Sequence, residues 1–204
     1  MAVATTKLDI LNLALQACGA SRVGSTHDSS LAEEADFCYS HLKRGELRQN
    51  GWAFARKRKL LPASSVVPDF GFATAFPLPT DCIRIIKPVR QNLDWFLEVH
   101  ETQLCILTNQ DSAPAQLKYI WDATENLFDP LFCEMLAYRI GWHIAEKVTQ
   151  SNSKRDAIKD MYVAFRREAR RVNGFEKIPD KEPVSEWLTG QQVGSFAGVD
   201  FVNE

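Results

Sequence analysis

The sequence predicts an α+β protein: a four-helix bundle, a small antiparallel β-sheet inserted between helices 2 and 3, and an extended C-terminal arm. Three observations carry this. Apolar residues recur at helical spacing up to Asn50 and again from Leu131. Between these stretches Pro62, Pro68, Pro77, Pro79 and Pro88 exclude long helices. After Phe175 the periodicity dissolves. The expected division is 1–51 and 127–174 for the helical bundle, 52–126 for the β-rich insertion and 175–204 for the arm.

Thr5 or Thr6 is placed to cap the first helix, in which Leu8, Leu11, Leu15 and Cys18 form an apolar stripe. Gly19 is its expected stop. Residues 20–28 read as a polar loop. Ser30 and Glu33 fit a capping box, with the serine oxygen on a backbone amide and the glutamate reaching back. The second helix then runs to Asn50, with Ala35, Cys38, Tyr39, Leu42 and Glu46 on one side. Gly45 inside it weakens the helix by about 1 kcal/mol relative to alanine, which predicts a second helix packed close by.

At Gly51-Trp52 the period changes. Trp52, Phe54, Arg56 and Arg58 alternate with Ala53, Ala55, Lys57 and Lys59, which predicts a strand beginning at Trp52. Further strands are expected at 70–76, 82–89, 94–100, 104–108 and 116–121, joined as a small meander with a turn at 101–103. Asp129-Pro130 is a strong helix start, with aspartate at the cap and proline at the first helical position. The helix that follows is apolar on more than half its circumference, so burial on most sides is expected. A fourth helix is predicted from Lys154 to Val172, stopped by Asn173-Gly174. Ile158, Met161, Tyr162, Phe165, Ala169 and Val172 form its inner face.

The arm is punctuated by Pro179, Pro183, Gly190, Gly194 and Gly198, yet carries Trp187, Leu188, Phe196 and Phe201. That content is too apolar for a solvated tail. Docking on another subunit and folding back on its own domain are the two readings.

Composition bounds the function. A formal net charge of −2 argues against a generically basic nucleic-acid binder. The five cysteines are scattered, with no CxxC pair, as expected of free thiols in a reducing compartment. The N-terminus lacks a signal-peptide layout and no apolar run approaches membrane-spanning length, so synthesis in a cytosol is expected. No cofactor or metal is predicted. P-loop, GxGxxG, HExxH and GxSxG patterns are missing from the sequence. The pairs His143–Cys133 and His41–Cys38 have spacings that neither zinc sites nor thiol enzymes use. Glu33-Glu34 reads first as a solvated helix face and only secondarily as an acid pair for hydrolysis. The run Arg56-Lys57-Arg58-Lys59 puts two cations on each face of a strand, and neither face buries them cheaply. Arg166, Arg167, Arg170 and Arg171 repeat the theme on one helical face. Solvation, ion pairing between subunits and contact with passing DNA are the readings open to both clusters.

Three motifs occur in order: Gly51-Trp52-x-Phe54 after the second helix, Leu78-Pro79-x-Asp81 before an Ile-rich strand, and Phe128-Asp129-Pro130-x-Phe132 before the third helix. Over residues 5–172 the chain resembles the tail tubular protein A family, the head-to-tail adaptor proteins of short-tailed bacteriophages and prophages. The resemblance implies a helical bundle with a β-rich insertion. It implies a homo-oligomeric ring, typically of twelve subunits, beneath the phage portal protein. Such a ring joins capsid to tail nozzle and lets genomic DNA pass through its lumen without specific binding. The implied location is the head–tail junction of the virion, after assembly in the host cytoplasm. The arm residues Trp187, Leu188, Phe196 and Phe201 would then dock on the portal. The two basic clusters, with Glu33 and Glu34, would form inter-subunit or tail-facing surfaces. Gly51, Trp52 and Phe54 would be a structural junction. The resulting expectation is a non-enzymatic structural protein; a cell-wall hydrolase and a DNA-binding module are the alternatives.

Overall fold

In the computed structural model, residues 5–88, 94–109, 114–149 and 152–176 are described. The four arm residues named above lie outside them. Among the described residues, four α-helices and two three-stranded antiparallel sheets form an α+β fold. The first helix, α1 (Lys7–Cys18), starts at Thr6, whose hydroxyl accepts from the Asp9 amide while the Asp9 carboxylate accepts from the Thr6 amide. It ends at Gly19, whose φ of 80° is the left-handed conformation that glycine adopts without strain.

The cap of α2 (Ser30–Gln49) is Ser29, not Ser30; its hydroxyl accepts from the Ala32 amide. The expected capping box does not form, because a cap at Ser29 puts Ala32 at the third helical position and leaves Glu33 one residue out of register. All five residues assigned to its inner side, including Glu46, are buried. Gly45 does not mark a helix crossing: a Cβ there would meet nothing within 4 Å. The close crossing is at Gly141 of α3 (Pro130–Thr149), where a Cβ would lie 3.3 Å from the Ala14 carbonyl oxygen of α1. Asp129 caps α3 by accepting from the Leu131 amide. This helix packs against α1, α2 and α4 (Asn152–Phe175), as expected for so broad an apolar surface.

The fourth helix runs through Asn173-Gly174 instead of stopping there. Gly174 keeps helical dihedrals rather than the positive φ of a terminating glycine. The Asn173 side chain, available in sequence for a cap, is spent elsewhere: it accepts from the Ala53 amide at 2.7 Å and donates to the Gly51 carbonyl. On the inner face Ile158, Tyr162 and Ala169 are buried, whereas Met161 is exposed.

The predicted strand at Trp52 is a turn, and β1 (Arg56–Leu61) begins four residues later. Trp52 and Phe54 do not alternate across a pleat; both turn into one aromatic cluster with Phe128 and Phe132. The other strands are β2 (Thr74–Pro77), β3 (Cys82–Pro88), β4 (Trp95–His100), β5 (Gln103–Thr108) and β6 (Ala115–Trp121). They do not form one meander. Sheet I has the order β1-β6-β3 and sheet II the order β2-β5-β4. The sheets meet through Leu61, Phe76, Ile106, Leu117 and Tyr119. Ile83 and Ile120 of sheet I instead belong to the helical core, so sheet I lies between the helices and sheet II.

Candidate assembly site

The junction between helices and sheet I is built on Trp52. Its ring is 1% exposed, its indole N–H donates to the Glu46 carbonyl at 3.0 Å, and it meets Phe132 edge-on with centroids 5.1 Å apart. Phe54 packs on both Phe128 and Phe132. Two of the three motifs, widely separated in sequence, therefore form a single cluster. The third motif lies in the connection from β2 to β3, beside sheet I. The Asp81 carboxylate accepts from the Tyr119 hydroxyl at 3.2 Å and pairs with Lys57 at 3.0 Å. The Lys57 ammonium also sits 4.0 Å above the Trp121 ring. Helix α2 reaches across to the same sheet: Arg48 donates to the Ile83 carbonyl and Lys43 pairs with Asp122 and Glu125.

Behind Trp52 lies a buried carboxylate. The Glu46 side chain is 2% exposed and accepts from the Tyr162 hydroxyl at 2.6 Å. Arg139 and Arg166 flank it at 3.7 and 3.9 Å, so a charge that would be costly alone is compensated by two guanidiniums. Burial first, and then the hydrogen bond to Glu46, raise the Tyr162 phenol to about 12. The sequence placed Glu46 on the inner face of α2 but gave no sign of these partners, which come from α3 and α4.

Other predicted residues are engaged within the chain. Arg166 bonds Gln49 as well as flanking Glu46. Arg171 pairs with Glu168 one turn away. Glu34 pairs with Lys147 at 2.7 Å and Glu33 lies 3.6 Å from His27. Gly51 accepts at its carbonyl from Arg56. Arg167 and Arg170 are exposed on α4, and Arg58 and Lys59 on β1. The structure thus does not bring Glu33-Glu34 and the α4 arginines together within one chain.

Two further features were not signalled by motif. A cleft of about 420 Å³ between α3 and α4 is lined by Arg139, Trp142, His143, Arg155 and Lys159, with Glu146 and Asp156 supplying opposite charge. Arg155 is paired with both of these acids. More conspicuous is β4, exposed from Trp95 to Val99: Val99 is 70% and Phe96 55% accessible.

The thiols of Cys18 and Cys133 are raised to about 11, chiefly by burial, so at neutral pH they are protonated and poor nucleophiles. Among the described residues no three His, Cys, Asp or Glu side chains are grouped to hold a metal ion, and no helix is long and apolar enough to cross a membrane. Comparison with protein-family models and with curated proteins gives no match.

Proposed function

We propose that this chain is a structural head-to-tail adaptor of a short-tailed bacteriophage virion, of the tail tubular protein A kind. In this reading the four helices form the ring-building bundle and 52–126 an inserted β-rich domain turned toward the tail. Residues 175–204 form an arm that docks on the portal, and genomic DNA passes through the ring without specific contacts. One observation carries the reading. Residues of two of the three motifs, far apart in sequence, converge in space as the joint between helices and sheet I, and a residue of the third braces that sheet. Trp52, Phe54, Phe128 and Phe132 pack together, and Asp81 ties Tyr119 to Lys57 on the adjoining sheet. Motifs spent on a joint support a likeness of architecture, because they fix how two parts of the chain meet.

Electron microscopy of the purified protein mixed with a portal ring tests the proposal. The expected result is a second ring seated on the portal, lost when Trp187 and Phe196 are changed to alanine. A portal that stays bare at micromolar protein overturns it.

A further inference from the structure

We infer that two copies of this chain associate edge to edge, the basic strand β1 of one copy pairing with the acidic, apolar strand β4 of the next. The inference rests on the ring-forming reading above and adds to the contacts of the helical bundle a second contact between copies, made by the inserted sheets. Both strands are six residues long and each terminates its sheet. An edge strand presents a row of backbone N–H and C=O groups away from its own sheet, a ready template for another strand.

Charge selects which edges meet. From Arg56 to Val67 the charged residues are Arg56, Lys57, Arg58 and Lys59, all cationic. From Asp94 to Asn109 they are Asp94, Glu98 and Glu101, with no lysine or arginine. Lys57 is already held by Asp81, which leaves Arg58 and Lys59 as the outward cations of the strand. Arg58 stands directly opposite Lys118 of β6. Like charges facing one another across a strand pair destabilise a sheet, and an arriving carboxylate relieves them.

The apolar side chains agree. Register sets Leu97 beside Ile106 and Val99 beside Leu104, so β4 extends the sheet face that forms the inter-sheet core. Yet Leu97, Val99 and Leu104 remain exposed. A core face that overhangs its own partner sheet is completed by an incoming strand. On β1, Leu60 is 62% exposed and available to that contact. Because β1 and β4 differ, the association is heterologous, and each copy keeps one donor and one acceptor edge free for a neighbour. Glu33-Glu34 is not needed as the acidic half.

The test is a charge swap in the full-length chain, read by sedimentation velocity at low salt over micromolar to submillimolar protein. Variant one carries Arg58→Glu and Lys59→Glu; variant two carries Glu98→Lys and Glu101→Lys. All four positions are exposed, and circular dichroism checks that both variants fold as the wild type does. The wild type is expected to self-associate, with the assembly weakening as salt rises. Each variant alone should associate at least about tenfold more weakly, since like charges now meet at both edges. Their equimolar mixture should recover assembly, because each reversed edge finds its complement on the other variant. A wild type that stays monomeric throughout, variants that associate as the wild type does, or a mixture without recovery each overturn the inference. So does an assembly abolished by Trp187→Ala with Phe196→Ala but untouched by the charge variants, which would assign the contact to the arm and not to the two edges. Failure of the adaptor reading is seen separately, as a portal ring that binds nothing.

Discussion

Sheet I and sheet II have the same number of strands and the same antiparallel pairing, but they are held in different ways. Sheet I contributes Ile83 and Ile120 to the helical core and is tied to α2 through Arg48, Lys43 and the Asp122–Glu125 segment. Sheet II packs on sheet I through Phe76 and Ile106, and its other buried cluster is limited to Ala75, Cys105 and Leu107 with Phe72 beside it. Its outer strand β4 is exposed from Trp95 to Val99. The contrast teaches that the inner strands β6 and β3 of sheet I are a fastening while the edge strands β1 and β4 are surfaces, and substitutions in the two should separate stability from association.

The largest effect is expected at the fastening. Trp52→Ala removes the ring at the centre of the joint and its bond to the Glu46 carbonyl, and should cost about 3–5 kcal/mol, read from denaturant unfolding. Tyr162→Phe deprives the buried Glu46 carboxylate of its 2.6 Å hydrogen bond and should cost about 1–3 kcal/mol in the same measurement. Asp81→Ala strips Tyr119 and Lys57 of their partner; because Asp81 is partly exposed, a loss of about 1 kcal/mol is expected. Gly45→Ala should raise stability by about 0.5–1 kcal/mol, since the added methyl meets nothing and the helix gains propensity. Val99→Thr, on the surface strand, should shift stability by less than about 0.5 kcal/mol. If Val99→Thr proves as costly as Tyr162→Phe, the distinction between the fastening and the edges collapses.

Much of the fold was legible locally. Thr6, Gly19, Asp129 and Pro130 carry their signals within one helical turn, and the structure places caps and ends at those residues. Four of the six strands lie where short apolar runs between prolines and turns predicted them, and the one expected at 70–76 starts only at Thr74. What was hidden depends on partners distant in sequence. The alternation of Trp52 with Phe54 has the period of a strand, but their destination is set by Phe128 and Phe132, so the segment is a turn. Asn173 reads as a helix terminator until Ala53 and Gly51 claim its side chain. The split into two sheets follows from β6 pairing with both β1 and β3, which no local pattern encodes. The candidate surfaces divide the same way. The cation run was visible in sequence. The inward engagement of Arg166 and Glu34, and the overhang of β4, required the packing.

The pair of hydrogen bonds between Asn173 and the Trp52 turn has a mechanical consequence. Those two hydrogen bonds clamp the final turn of α4 onto the joint between helices and sheet I. A pull on α4 from its C-terminal end therefore reaches that clamp before it reaches the core of the helix. Tension from the C-terminal segment is delivered to the Trp52 turn, the place where the helices and the sheets are coupled.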